Sequence, residues 1–321
     1  MQEKILITGA CGQVGSELTL ALREKYGSDA VLATDIREPE DKDFEDSGPF
    51  KKLDVLDKEG IKEIAREQNF TQVYHMAAIL SAEAEKKPMF GWQLNMEGLL
   101  NILNLAYEKG IAKVYYPSSI AIFGPSTPKK NTAQQTIMDP NTVYGISKLA
   151  GEGWCNYYFE KFGVDVRGLR YPGLISYKTP PGGGTTDYAI DIFYHALEEK
   201  PFSCFLKEDT RLPMMYMPDA IKATIEVMEA PCSEITVRGG YNINGFSFSP
   251  GELAEAVKHE NYPIAMSYEP DYRQAIADSW PESIDDTVAR DDWNWSPDYD
   301  LSAMTRDMLK NIAAKLNKTT T

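Results

Sequence analysis

The sequence predicts an α/β fold: a doubly wound, mostly parallel sheet followed by a smaller C-terminal substrate-binding region. Three observations carry this. Short apolar β-type runs alternate with longer amphipathic stretches through the first half. A glycine-rich turn follows the first of those runs directly. After Tyr171 the alternation breaks down and Pro and Gly cluster. The 321 residues suffice for one large domain or two modest ones, and 43% hydrophobic with 25% charged residues is the composition of a globular chain with a substantial core.

Strands are expected at 4–8, 30–34, 51–54, 72–76, 113–117 and 165–170, with helices at 13–26, 58–68, 88–109 and 143–162 between them. Six β runs joined by crossovers make a Rossmann-type sheet, assigned to a dinucleotide-binding domain of residues 1–171. The stretch 124–141 is rich in Pro, Thr and Lys and lacks periodicity, so it reads as a surface loop near the C-terminal strand edge. Residues 172–321 read mainly as a substrate-binding and capping region, with elements near 213–245 returning to the first domain. Helical patterns recur there around 188–199, 218–229, 250–258 and 301–316, and 317–321 reads as a frayed tail.

Charge and composition exclude several classes of function. The 33 Lys+Arg against 48 Asp+Glu give a net charge of −15. That balance argues against nucleic acid, whose sequence-independent binding rests on neutralising phosphates, and against an anionic membrane surface. No apolar run approaches the ~20 residues of a spanning helix. The few residues before the first strand leave no room for a leader, so a cytoplasmic location is expected unless a presequence has been removed. Cys11, Cys155, Cys204 and Cys232 are scattered, and His75, His195 and His259 form no ligand pair, so neither a disulfide frame nor a metal is expected.

Gly9-Ala10-Cys11-Gly12-Gln13-Val14-Gly15 is a turn between the first strand and a helix. Glycines there let the backbone approach a pyrophosphate whose charge meets the helix N-terminus. Asp35 closes the second strand 35 − 15 = 20 residues after Gly15, placed to accept from the adenosine ribose and to repel a 2′-phosphate. NAD is therefore expected as cofactor, with Arg37 as the residue that could instead accommodate the extra phosphate. Asp54-Val55 ends the third strand, where an adenine contact and a strand-terminal cap are both open readings. Met76, Ala77 and Ala78 are small or slender enough for close approach at the fourth strand end, and His75 reads as a packed core residue. Asn95 and Ser118 complete the expected cofactor set on this half.

Tyr144-Gly145-Ile146-Ser147-Lys148 places a phenol and an ammonium four residues apart on one helix face. Ser119 ends the preceding strand, 144 − 119 = 25 residues upstream. The chemistry called for is removal of an alcohol proton: Tyr144 as base, Lys148 lowering its pKa and binding the nicotinamide ribose, and Ser119 holding the substrate oxygen.

These positions resemble the extended short-chain dehydrogenase/reductase superfamily over nearly the whole chain. More narrowly, Gly9 to Gln13, Pro117-Ser118-Ser119-Ile120-Ala121, Tyr171-Pro172-Gly173-Leu174-Ile175-Ser176, the run from Pro180 to Ala189, and Ala277-Asp278-Ser279-Trp280-Pro281 resemble its short-chain L-threonine 3-dehydrogenase branch. The resemblance implies oxidation of the threonine β-hydroxyl by NAD⁺ to 2-amino-3-ketobutyrate. L-Threonine is a zwitterion, and the loop from Gly182 through Gly184, Thr185 and Thr186 to Asp187 offers N–H groups, hydroxyls and a carboxylate to clamp it. By resemblance Thr185 and Asp187 are substrate-loop positions, and Ser81, next to Leu80, lies beside cofactor and substrate. An N-cap role for Asp187 remains open. Tyr171, Pro172, Gly173 and Leu174 are expected at the cofactor, Pro172 to Leu174 passing beneath the nicotinamide carboxamide and orienting the ring through main chain alone, Trp280 is either pocket wall or packing anchor, and the glycines suggest a closing hinge.

The helices at 88–109 and 143–162 are apolar on more than one face. The resemblance makes a homodimer through a four-helix bundle the expected use of that surface, with burial under the capping region as the other. Two rival functions stand beside the dehydrogenase. A sugar-nucleotide epimerase or dehydratase would share the cofactor and catalytic residues but call for a basic groove, where the second half has few Arg and several acidic runs. A non-catalytic NAD-sensing binder would be expected to have lost Tyr144 or Lys148.

Overall fold

The computed structural model describes residues 3–179 and 184–319. In chain order its strands are β1 (Ile5–Thr8), β2 (Val31–Asp35), β3 (Phe50–Lys52), β4 (Gln72–His75), β5 (Lys113–Ser119), β6 (Asp165–Tyr171), β7 (Gly173–Ile175), β8 (Phe202–Cys204), β9 (Leu212–Tyr216), β10 (Tyr241–Asn242), β11 (Phe246–Phe248) and β12 (Met266–Tyr268). Its helices are α1 (Gln13–Tyr26), α2 (Lys42–Asp46), α3 (Lys58–Glu67), α4 (Ser81–Lys86), α5 (Pro88–Lys109), α6 (Val143–Phe162), α7 (Tyr188–Leu197), α8 (Met217–Glu229), α9 (Pro250–His259), α10 (Tyr272–Ser279), α11 (Thr287–Trp293) and α12 (Leu301–Thr319).

The seven-stranded sheet runs β10-β6-β5-β4-β1-β2-β3, and all of its strand pairs are parallel. Its strands are buried on both faces because alternate side chains feed two separate cores. Ile5, Ile7, Val31, Ala33, Tyr74 and Tyr115 pack with Leu18 and Leu22 of α1 and Ala220, Ala223 and Val227 of α8. Leu6, Leu32, Val73 and Val114 pack with Ile61 and Ile64 of α3, Leu99 and Ile102 of α5, and Cys155 and Tyr158 of α6. The order reverses between β1 and β4, so their C-terminal ends open on the crevice where such sheets bind ligands.

A three-stranded sheet, β11-β9-β7, and a parallel pair, β12-β8, belong to the second half. β9 joins two cores: Leu212, Met214 and Tyr216 face the second-half core with α7, α9 and α12, while Met215 faces the first. The expected strand at 113–117 extends to Ser119, which pairs with Tyr171. The loop at 124–141 is stitched to a later segment: the Thr132 N–H donates to the Ser283 carbonyl at 3.0 Å, and the Asp285 N–H to that of Thr132 at 3.0 Å. Among the described residues no helix is long and apolar enough to cross a membrane.

Candidate active site

Gly9 ends β1 in the left-handed region, with φ +71°, and a Cβ there would sit 2.4 Å from the Ala77 nitrogen. Only glycine lets the turn cross the end of β4 so closely. α1 then begins at Gln13 with Gly12 as N-cap, no side-chain cap bond and no acidic residue in its first turn. Its free N–H groups and dipole are thus presented to an anion. Asp35 holds this turn: its carboxylate accepts from the Cys11 and Arg37 N–H groups, each at 2.9 Å. The Arg37 guanidinium folds back onto the same carboxylate at 3.6 Å and donates to the Cys11 carbonyl at 3.0 Å. A cradle that a Cβ would fill, an uncapped helix end and a ribose-competent carboxylate fit a dinucleotide.

The other expected cofactor residues divide. Met76, Ala77 and Ala78 follow β4 at the crevice and are partly exposed. Asp54 accepts from the Leu56 N–H at 2.9 Å, a local turn bond, and Val55 is buried, its carbonyl taking the Asn101 amide at 2.9 Å. Asn95 pins the loop after β4 by bonding both the N–H and the carbonyl of Ile79, at 2.9 and 3.2 Å. Ser118 turns away from the crevice, donating to Glu152 at 2.6 Å. The Tyr171 side chain is likewise engaged elsewhere. Its hydroxyl is bonded to Tyr115, at 2.6 Å, and to Thr224 inside the core, leaving only its main chain for a ligand. His75 is the core histidine expected, bonded to Thr8 at 2.9 Å.

Ser119, Tyr144 and Lys148 converge. Ser119 ends β5, and its hydroxyl accepts from the Ala121 N–H at 3.2 Å to cap a single 3-10 turn, Ile120–Ile122. α6 starts over that turn. Thr142 caps it by accepting from the Gly145 N–H at 3.0 Å, and Gly145 lies so near the Ala121 carbonyl that a Cβ would come within 2.1 Å of it. This contact sets Tyr144 beside Ser119, close enough for the serine hydroxyl to favour the ionised phenol. One turn on, the buried Lys148 ammonium donates to the Pro117 carbonyl at 2.6 Å and stands 5.5 Å from the Tyr144 ring centre. Asn95 supports the helix by donating to Ser147 at 3.0 Å, and Ser147 donates to the Tyr144 carbonyl at 2.7 Å.

The electrostatics of the polypeptide alone run against ionisation of both groups. Although Tyr144 keeps some solvent exposure, its surroundings push the phenol up to about 12, burial outweighing the opposing influence of the Ser119 hydroxyl. Burial likewise brings Lys148 down to about 8, with Cys155 and Glu152 working to raise it. Lys148 therefore does not lower the phenol's pKa below its ordinary value in this geometry. The ammonium lies over the ring and is committed to a main-chain carbonyl.

On the opposite side, a Cβ on Gly173 would meet Thr186 Cγ2 at 2.7 Å, so the Gly184–Asp187 segment rests on the strand after Pro172. Asp187 occupies the N-cap position of α7 but makes no cap bond; its carboxylate accepts from the Gly184 N–H at 2.8 Å instead. Pro180 to Gly183, which include most of the expected hinge, lie outside the described residues. Leu80 is exposed and Ser81 opens α4. Trp280 packs against Ile120, Ile122 and Phe123, the turn that follows Ser119. Lys129 fixes it by donating to the Ser279 and Trp280 carbonyls at 2.7 and 3.2 Å. The sequence reading missed Glu17 of α1, which accepts from Ser176 at 2.6 Å and ties the helix of the glycine turn to the segment leaving β7. Its signal was a carboxylate on the inward face of α1.

A parallel sheet with a glycine cradle at its switch point and a Ser-Tyr-Lys set on the neighbouring strand and helix defines a nicotinamide-dependent oxidoreductase class. The chain belongs to the NAD dependent epimerase/dehydratase family, whose model matches residues 5–243. It is 51% identical over 318 residues to an uncharacterized epimerase/dehydratase of Staphylococcus haemolyticus, covering 98% of each chain. Among solved structures it resembles a GalE-like L-threonine dehydrogenase from Cupriavidus necator in its holo form, with 54% identity and a TM-score of 0.93 over 96% of this chain and 99% of that one. It also resembles the L-threonine dehydrogenase of Clostridium difficile, with 48% identity and a TM-score of 0.95 over 98% of both. The chain is thus an NAD-dependent oxidoreductase of the extended short-chain dehydrogenase/reductase type.

Proposed function

We propose that this protein is an L-threonine 3-dehydrogenase, converting the β-hydroxyl of L-threonine to the ketone of 2-amino-3-ketobutyrate. The observation that carries the reading is the grouping of Ser119, Tyr144 and Lys148 at the end of β5 and the start of α6, in a chain near half identical over nearly full length to two threonine dehydrogenases. NAD⁺ bound in the crevice supplies the hydride acceptor and a ring charge that favours phenolate. Ser119 holds the hydroxyl oxygen and Tyr144 takes its proton as the C–H hydride leaves. Lys148, an ammonium below about pH 8, holds ribose hydroxyls and offsets the phenolate charge. Asp187 offers a carboxylate to the substrate ammonium, and Thr185, Thr186 and main-chain N–H groups are available to its carboxylate.

Met89, Phe90 and Trp92 on α5 and Ile146, Trp154, Tyr157 and Phe162 on α6 are exposed. Two packed helices with this many bare aromatics support a homodimer through a four-helix bundle. The decisive experiment offers NAD⁺ with L-threonine, D-threonine, L-serine and a UDP-sugar in parallel, follows NADH by absorbance and follows the UDP-sugar itself by chromatography, because an epimerase or dehydratase returns the hydride and accumulates no NADH. L-Threonine should be turned over, and Tyr144→Phe should lose ~10²–10⁴-fold in kcat with NAD⁺ affinity intact. Turnover of the UDP-sugar, or an active Tyr144→Phe, would overturn the reading.

A further inference from the structure

None of the steps above uses the ion pair buried behind the site. Glu152 lies on α6 four residues after Lys148 and eight after Tyr144, so the three form one stripe along the helix. Arg170 reaches it from β6 with two bonds, Nε to Oε1 at 2.9 Å and Nη2 to Oε2 at 2.8 Å. Ser118 of β5 adds a third to Oε1 at 2.6 Å. Ser118 and Arg170 are register partners across β5 and β6, one residue before the Ser119–Tyr171 pair. The remaining Arg170 donors go to the Gln134 carbonyl at 2.8 Å, to Asn242 at 3.0 Å and to the Met138 sulfur at 3.5 Å. Both ionic side chains are all but inaccessible, at 5% and 6%.

Desolvating two charges is unfavourable unless the geometry is close and further hydrogen bonds use the spare donors and lone pairs, as they do here. An apolar pair would hold a helix to a sheet as well, so stability alone does not account for an ionic one. What the pair adds is direction: a forked, two-point grip that fixes both the rotation and the height of α6 at the strand ends.

We propose that the Glu152–Arg170 pair is a positioning device of the reaction, seating the helix that carries Tyr144 and Lys148 against the strand end that carries Ser119. Glu152 acts through Lys148 and does not touch substrate. The inference rests on the dehydrogenase reading for its substrate but not for its geometry. Electrostatics point the same way. The groups facing Lys148 are Tyr144, Glu152 and Cys155 from α6, Tyr116 from β5 and His75 from β4. Of these Glu152 carries the negative charge, and it opposes the burial that discharges Lys148.

The test compares Glu152→Gln, which keeps an acceptor for Ser118 but removes the charge, with Glu152→Asp, which keeps the charge on a shorter arm. Two readouts are needed. The first is kcat and KM for NAD⁺ and L-threonine across pH. The second, with NAD⁺ and no amino acid, is the phenolate absorbance of each background minus that of the same background carrying Tyr144→Phe. In Glu152→Gln, kcat should fall between about 10- and 100-fold with KM for NAD⁺ unchanged. The alkaline loss of activity should begin at lower pH, and the Tyr144 phenolate should form at higher pH. Glu152→Asp should return both pH positions to wild type. An unchanged kcat in Glu152→Gln overturns the proposal. So does a parallel fall in kcat, NAD⁺ affinity and melting temperature with the phenolate titration unmoved, which is the pattern of a merely structural pair. Should Glu152→Gln not fold, Ser118→Ala decides: it removes one bond and no charge, and must lower kcat without moving the titration. If wild type leaves L-threonine untouched, the substrate reading fails, and the phenolate titration still tests the positioning.

Discussion

Replacing Gly145 by alanine tests whether turnover depends on how closely the first turn of α6 approaches the strand end. A Cβ at this position would stand 2.1 Å from the Ala121 carbonyl oxygen, where ordinary contact begins at 3.4 Å, and 2.8 Å from Pro140 Cβ. The shortfall is 3.4 − 2.1 = 1.3 Å. Neither obstacle is a flexible side-chain tip, one being main chain of the 3-10 turn and the other a proline ring, so the helix start must back away. Stability changes little, because alanine favours a helix over glycine by about 1 kcal/mol while overpacking costs about 1–3 kcal/mol. Turnover should suffer far more, since a ~1 Å misplacement can cost ~100-fold. Steady-state NAD⁺ reduction with L-threonine, run beside a thermal melt and an NAD⁺ titration, separates these effects. The expected result is a loss of ~100-fold in kcat, a melt lowered by a few degrees at most and an unaltered NAD⁺ affinity, because the Gly9 turn and Asp35 are untouched. A folded variant with wild-type kcat would refute the argument that this contact sets the catalytic geometry.

Three further outcomes follow from the same structure. Asp187→Asn keeps an acceptor for the Gly184 N–H but removes the charge proposed to face the substrate ammonium. Its threonine KM should rise ~10-fold or more with NAD⁺ affinity unchanged, and equal KM values would exclude Asp187 from the clamp. His75 is held by burial, and by Lys148, at about 3 against an ordinary 6.5. The unfolded chain therefore binds the extra proton first, so stability is flat above pH 6.5 and is lost as pH falls from there toward 3. By about pH 4.5 the loss should be ~3 kcal/mol, and His75→Asn should lose that much less than wild type between about pH 7.5 and 4.5 in urea denaturation. Trp154→Glu with Tyr157→Glu places two charges on the exposed α6 face and should give monomers by light scattering after gel filtration. A wild type that is already monomeric would remove the bundle from the account.

Much of the fold was legible because strands covered on both faces must read as apolar runs, as residues 5–7, 31–33 and 73–74 do. What escaped was short or tertiary. α2, α4, α10 and α11 have too few turns for a helical period to emerge, and the two residues of β10 are strand only because β6 lies beside them. Within the site, Gly9, Asp35, Ser119, Tyr144 and Lys148 were legible from local spacing. Neighbours on a strand point to opposite faces, so the Ser118 hydroxyl turns to Glu152 while Ser119 faces the crevice, which leaves the main chain of Ser118 as its means of meeting a cofactor. Asp187 could not be resolved from sequence, since a cap and a loop clasp use the same residue type at the same place.

The sign of the electrostatics was beyond reach for a deeper reason. A lysine four residues from a tyrosine reads as a charge that favours phenolate, and spacing alone supports that reading. Burial acts on both groups at once, however, and against the charged form of each, raising the phenol to about 12 and lowering the ammonium to about 8. Spacing identifies which groups meet. Only the depth at which β5 and α6 hold them decides that the polypeptide by itself favours the neutral phenol.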